Sequence, residues 1–192
     1  MCSFIAIILL VLTGCGRQSS PTVEIDVIVS FLQERYASDI PVGTPLVIED
    51  KLSERRFESE VARALLAKAP DRIPADLIGD FCNKTAKPEP VWPELGLRIQ
   101  VKLLNSAEFD AFFSAKRAQK PDGWERFYTA YPKSPGVITI SRVGFNKSGD
   151  MAMFYMGSQT GGHSGSGQIH FFRKQSGKWV EQPIYIGSSW TS

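Results

Sequence analysis

The segment GVITISRVGFNKSGDMAMFYMGSQTGGHSGSGQIHFFRKQSGKWVEQPIYI, residues 136–186, determines the fold class of this chain. Turn-forming residues recur in it at regular intervals, as Asn146–Gly149, Gly161–Gly167 and Ser176–Gly177. The segments between these turns are rich in β-branched and aromatic residues, which are typical of strands. Their hairpin-length connections predict an antiparallel meander of four strands, namely Val137–Val143, Met151–Met156, Gln168–Arg173 and Trp179–Ile186.

Helical periodicity dominates the part of the chain before this meander. Apolar residues three or four positions apart predict three helices, one over Glu24–Tyr36, one from the N-cap Ser53 to just before Pro70, and one from Pro74 through Phe81. Pro45–Ile48 is a short strand candidate between the first two helices. Lys87–Pro93, with its three prolines, is predicted to be an extended loop.

The alternation of apolar and polar residues over Leu97–Leu103 predicts a half-buried strand. Ser106 can cap a helix after it, and Asp122 can cap another that ends at Pro132. This last helix carries an aromatic stripe at helical spacing, formed by Trp124, Phe127, Tyr128 and Tyr131. The arrangement indicates a single α+β domain over residues 23–192, with N-terminal helices packed on a C-terminal antiparallel β-meander sheet.

An apolar run, Phe4–Leu12, lies near the start of the chain. Crossing a bilayer takes about 20 apolar residues, so the run suits a signal-peptide core better than a spanning helix. Leu12-Thr-Gly-Cys15 resembles the lipobox of bacterial lipoproteins, in which the leader is cut before the cysteine and the thiol is acylated, for example with palmitate. The resemblance implies a signal peptide over residues 1–14, lipid attachment at Cys15 and a tether over residues 15–22. It also implies a membrane-anchored protein that faces the periplasm or the cell exterior, on the outer membrane if the source is Gram-negative.

Charge and cysteine content argue against several classes of function. The chain has 22 Lys and Arg against 20 Asp and Glu, a formal net charge of +2, which does not suit a nucleic-acid partner. Its three cysteines form no CxxC pair and no Cys/His ligand spacing, so the sequence predicts no metal site, and no motif predicts a cofactor. Cys82 lies in an amphipathic stretch and is predicted to be a buried, inert thiol.

Gly161–Gly167 combines glycines with a hydroxyl and an imidazole. A nucleophile elbow needs Gly-x-Ser-x-Gly, but Ser166 stands where the last glycine should follow Ser164, and the segment joins two predicted strands rather than a strand and a helix. It also lacks the Gly-Lys-Ser/Thr end of a phosphate-binding loop. We therefore predict a wide hairpin turn; a ligand-contacting loop and a serine-hydrolase site that uses His163 are the alternatives.

Arg142 and the aromatic stripe are the candidates for ligand binding. Strand alternation places Arg142 on the face of Ile138 and Ile140, so its guanidinium needs either a buried carboxylate or an anionic ligand. The stripe is interpreted either as core or as the lining of a cleft between helix and sheet. We expect any ligand cleft to lie beside Arg142, with the Gly161–Gly167 turn at its rim. The predicted ligand-binding residues are Arg142, Trp124, Tyr128, Tyr131 and His163.

Three strings of residues carry a resemblance to known sequences. They are Trp124-Glu-Arg-Phe-Tyr128, Tyr131-Pro-Lys-Ser-Pro-Gly136 and Ser141-Arg-Val-Gly-Phe-Asn146, followed by a GKW strand and the terminal Trp190-Thr-Ser192. Together they resemble a family of uncharacterised bacterial envelope proteins over at least residues 74–192. The resemblance implies an envelope location and a shared fold, and it supplies no catalytic residue.

The sequence thus predicts a lipid-anchored envelope protein that acts as a non-enzymatic binding or interaction module. Its expected partners are the membrane, through the N-terminal lipid, and an envelope protein or small ligand, but not nucleic acid. A hydrolase or transferase that acts on envelope material with His163 and nearby serines is the alternative. The binding interpretation is favoured because the motifs supply no nucleophile–base set and no metal-ligand set.

Overall fold

The computed structural model describes residues 21–36, 38–52, 72–86, 89–90, 95–114 and 121–191. Within these residues there are four helices, α1 (Pro21–Tyr36), α2 (Ala75–Thr85), α3 (Ser106–Phe113) and α4 (Gly123–Ala130). The strands are β1 (Leu46–Glu49), β2 (Lys51–Leu52), β3 (Glu89–Pro90), β4 (Val101–Leu104), β5 (Val137–Ile140), β6 (Gly144–Phe145), β7 (Met151–Gly161), β8 (Ser164–Gln175) and β9 (Lys178–Thr191). The α+β class predicted from the sequence is therefore confirmed.

Seven strands form one mixed sheet in the described part of the chain. Its order is β4-β1-β5-β7-β8-β9, and β6 also pairs with β7. The predicted meander is present as β5 to β9, but β1 pairs in parallel with both β4 and β5, so the prediction of a purely antiparallel sheet is wrong. The connections from β1 to β4 and from β4 to β5 are long and include helices, which is what parallel neighbours require.

The two faces of the sheet carry different helices. Leu46, Ile48, Ile138 and Ile140 share one core cluster with apolar residues of α1. Val47 and Val137, which point to the opposite face, pack with the aromatic residues of α3 and α4. On that second face, α2 also packs through Leu77 and Phe81 against the meander strands.

Several element boundaries differ from the predicted ones. The first helix begins at Pro21 instead of Glu24, so it includes the last two residues of the predicted tether. The predicted strand Leu97–Leu103 is reduced to Val101–Leu104, because its partner β1 begins only at Leu46, which pairs with Val101. Glu89–Pro90, inside the predicted loop, pairs with β2. The helix predicted from Ser53 to Pro70 lies outside the described residues.

Capping explains where the two aromatic helices begin. Asn105, and not Ser106, is the N-cap of α3, because its side chain accepts a hydrogen bond from the Glu108 amide while the Glu108 carboxylate accepts one from the Asn105 amide. The prediction for α4 is confirmed, since Asp122 caps it in the same reciprocal way with Glu125. Both helices are therefore fixed at their N-termini by local sequence.

The turn between β7 and β8 is much shorter than predicted. Gly161 pairs with Ser164, which leaves only Gly162 and His163 in the turn, so the wide turn over Gly161–Gly167 is wrong. Most of the glycines in this segment lie in the paired strands instead. A Cβ on Gly167 would lie 2.1 Å from the Tyr155 hydroxyl, so a glycine is needed where this ring crosses β8.

Candidate functional site

Arg142 lies in the irregular connection between β5 and β6 and points to the α1 side of the sheet. Its Nε and Nη2 atoms donate to the two carboxylate oxygens of Glu24 at 2.9 and 2.8 Å. Glu24 is fully buried and also accepts a hydrogen bond from the Val143 amide at 3.2 Å. The structure thus gives Arg142 the buried carboxylate that was one of its two predicted alternatives.

A second cation extends this pair into a network. Lys84 of α2 lies 3.4 Å from Glu24 Oε1 and 3.0 Å from Asp80 Oδ2, and it donates to the Val143 carbonyl at 3.0 Å. Asp80 in turn accepts a hydrogen bond from the Phe145 amide at 2.8 Å. The four charged side chains join α1 and α2, on opposite faces of the sheet, to the β5–β6 connection.

The aromatic stripe packs on the opposite face from α1. Phe127 is fully buried, whereas Trp124, Tyr128 and Tyr131 are half-buried around it. The Tyr128 hydroxyl donates to the Thr160 carbonyl at 3.0 Å, and burial raises the pKa of this phenol. The stripe therefore anchors α4 to the end of β7.

The predicted site residues divide between the two faces of the sheet. His163 lies exposed in the β7–β8 turn, and a Cβ on the adjacent Gly162 would lie 3.9 Å from the Trp124 ring, so the turn and the stripe are neighbours. Arg142 is on the α1 side, away from both. The structure brings Trp124, Tyr128 and the turn of His163 together, and it does not bring Arg142 to them.

An open cleft that the sequence did not reveal lies at the C-terminal end of α1. Its volume is about 480 Å³. The end of α1 and the turn after it contribute Phe31, Glu34, Arg35, Tyr36, Asp39 and Ile40, the loop before β5 contributes Lys133 and Pro135, and β9 contributes Glu181. Because these residues come from three distant parts of the chain, no local motif could have grouped them.

Glu181 is held in this cleft by a buried histidine. The Nδ1 atom of His170 lies 2.6 Å from Glu181 Oε1. The imidazole is only 4% exposed and packs against the rings of Phe31 and Phe154, with centroids 4.4 and 5.6 Å away. Its Nε2 atom has no hydrogen-bond partner among the described residues. Glu181 is thus an exposed carboxylate that is held by a buried side chain.

The loop before β5, which also lines the cleft, contains a strained residue. Lys133 has a φ of 62°, a left-handed conformation that non-glycine residues rarely adopt. It lies between Pro132 and the half-buried Pro135, and the buried Ser134 hydroxyl donates to the Gly136 carbonyl at 3.2 Å. The two prolines were a visible signal of a rigid loop, but they did not indicate what the loop faces.

Comparison with protein-family models, with curated proteins and with solved structures gives no match. The resemblance carried by the three strings of residues therefore stays a prediction. No helix among the described residues is long and apolar enough to span a membrane. In the same part of the chain, no three His, Cys, Asp or Glu side chains lie close enough together to hold a metal ion.

Tyr36, which lines the cleft, should make the stability of the protein fall at alkaline pH. Burial raises the pKa of its phenol, an effect that the neighbouring Arg35 partly opposes. The folded state therefore holds this proton more tightly than the unfolded chain does. The contribution of the Tyr36 phenol to the stability of the folded state is fully present below the pKa of about 10 that it has in the unfolded chain. This contribution is lost as the pH rises through the pKa of the folded state.

Urea unfolding at about pH 8 and about pH 11 should show this loss in the wild type and a smaller loss in Tyr36→Phe. Equal losses of stability in the wild type and in Tyr36→Phe would contradict the assignment of the alkaline loss to Tyr36. Tyr128→Phe is a useful comparison, because burial also raises the pKa of the Tyr128 phenol at a position away from the cleft.

Proposed function

We propose that this protein is a lipid-anchored envelope module that binds a partner protein or a small ligand in the cleft at the end of α1. The observation that carries the proposal is the lining of that cleft. Tyr36, Ile40 and Pro135 provide apolar surface, and charged side chains of both signs stand around it. A concave apolar surface with a few oriented polar groups is the usual form of a ligand site.

The cleft favours binding over catalysis in this proposal. Among the described residues, the ionisable groups that line the cleft are three carboxylates, the Tyr36 phenol, and the cations Arg35 and Lys133. The raised pKa of Tyr36 keeps the phenol protonated near neutral pH, so it acts there as a hydrogen-bond donor and not as a base. Such groups orient a ligand without needing to react with it.

The anchor in the proposal is a lipid on Cys15. Each buried acyl CH₂ contributes about 0.8 kcal/mol, so two or more chains would hold the domain stably on a bilayer. Residue 16 is Gly and not Asp, which suits transfer to the outer membrane if the source is Gram-negative. The lipid gives the module its location, and the cleft gives it specificity.

Replacing Cys15 with Ser tests the anchor. Without a thiol there is no acylation site, so the variant should move from the membrane fraction to the soluble fraction, whereas a Cys82→Ser variant should stay with the membrane. Fractionation followed by immunoblotting measures both. A Cys15→Ser protein that remains quantitatively with the membrane would refute the lipid anchor.

A further inference from the structure

The charges around the cleft are not balanced. Glu34, Asp39 and Glu181 contribute three exposed carboxylates, against the cations Arg35 and Lys133. Arg35 lies near the Tyr36 ring, with its guanidinium carbon 6.0 Å from the ring centroid. The C-terminal end of α1 adds partial negative charge to the cleft, because α1 ends at Tyr36 and the last carbonyls of a helix carry partial negative charge.

Of these three carboxylates, Glu181 is held by a buried side chain, His170. An ionised carboxylate only accepts hydrogen bonds, so in the 2.6 Å contact the His170 ring serves as the donor through Nδ1 when Glu181 is ionised. The rings of Phe31 and Phe154, which also contact each other, pack against the imidazole and restrict its orientation. Because Glu181 is already oriented, a ligand that binds it does not have to immobilise a free side chain, which would otherwise weaken the affinity.

We propose that the cleft binds an organic cation, a guanidinium or ammonium group joined to an apolar group, and that Glu181 contacts the cation. Tyr36, Ile40 and Pro135 contact the apolar part, and His170 is the positioning residue that holds Glu181. An arginine or lysine side chain next to an aromatic residue has this chemistry. The inference rests on the proposed binding function and names the class of ligand for the same cleft.

The experiment titrates the full-length protein, in micelles of a neutral detergent, with acetyl-Phe-Arg-amide. Two matched ligands replace Arg with the neutral citrulline or with Glu, and calorimetry gives the three dissociation constants. We expect the citrulline ligand to bind about tenfold more weakly than the Arg ligand and the Glu ligand to bind more weakly still.

Variants assign the contact to Glu181. Glu181→Gln should weaken binding of the Arg ligand about tenfold and leave the citrulline ligand unchanged. Asp26→Asn, which removes an exposed carboxylate from the other end of α1, is the matched control and should change neither affinity.

Two substitutions separate positioning from packing at His170. His170→Asn keeps a donor near the position of Nδ1 and should retain the affinity for the Arg ligand. His170→Phe keeps an aromatic ring against Phe31 and Phe154 but removes the donor, so it should weaken binding of the Arg ligand and leave binding of the citrulline ligand unchanged. The Phe variant should fold, because it also removes the buried, unpartnered Nε2.

Equal affinities for the Arg and citrulline ligands would overturn the cation assignment, and so would an unchanged affinity in Glu181→Gln. Preferential binding of the Glu ligand, lost in Lys133→Met, would overturn it too while leaving the proposed binding function intact. If none of the three ligands binds, both the ligand class and the use of this cleft are wrong, whatever Cys15→Ser shows about the anchor.

Discussion

Glu24→Gln should lower the free energy of unfolding by about 3–5 kcal/mol, the range found when one partner of a buried ion pair is removed. The Glu24 side chain is fully buried and accepts two hydrogen bonds from Arg142 and one from the Val143 amide. Its loss leaves the guanidinium without this carboxylate and removes one of the two carboxylates near Lys84 that are described above. Urea unfolding followed by circular dichroism measures the change.

Asp26→Asn is the control for this prediction, because it removes an exposed carboxylate from the same helix and should cost little. Glu24→Gln combined with Arg142→Met should lose less stability than the sum of the single variants, since the uncompensated cation is then gone. A Glu24→Gln protein within about 1 kcal/mol of the wild type would show that the network does not hold α1 in place.

Gly144→Ala should cost about 3 kcal/mol, near the top of the range for adding a methyl group to a packed core. A Cβ on Gly144 would lie 2.5 Å from the Phe81 Cβ, 2.6 Å from its Cα and 2.7 Å from its amide nitrogen. A side-chain rotation cannot relieve a clash with backbone atoms, so α2 must move away from the sheet. Thermal and urea unfolding both report this change.

Gly79→Ala is the matched substitution for Gly144→Ala. Nothing lies within 4 Å of a Cβ on Gly79, which is exposed in the middle of α2. Alanine should therefore stabilise the protein by about 0.5–1 kcal/mol, because it favours the helix and restricts the unfolded chain. If Gly144→Ala were as harmless as Gly79→Ala, the close contact between β6 and α2 would be wrong.

The elements predicted best were those whose signal is local. The hairpin strands after residue 150 and the α4 helix with its Asp122 cap depend on residues close together in sequence, and the structure has them. The parallel pairing of β1 was missed because it depends on long connections that return the chain to the same end of the sheet. Periodicity does not reveal the direction of a strand.

The candidate site was harder to predict for the same reason. Strand alternation correctly turned Arg142 toward the Ile138 face, but its partner Glu24 lies 118 residues earlier in the sequence. The cleft combines the end of α1 with Lys133 and Glu181, which nothing in their local sequences relates. His170 carried no signal either, because a histidine within an apolar strand is usually a core residue.

The string Ser141-Arg-Val-Gly-Phe-Asn146 has a structural explanation at each polar or glycine position. The Ser141 hydroxyl accepts a hydrogen bond from the Tyr155 amide, Arg142 binds Glu24, and Gly144 admits Phe81. The Asn146 side chain accepts hydrogen bonds from the amides of Asp150 and Met151. The string therefore describes how two helices and a turn are fastened to the sheet.

The position of Glu24 has a mechanical consequence for α1. Its ion pair with Arg142 fastens the first turn of this helix, which begins at Pro21, to the connection between β5 and β6. A force that pulls on the N-terminal end of α1 therefore meets this ion pair first and passes into the central strands. The cleft lies at the opposite end of the same helix, beyond the point where that force leaves it.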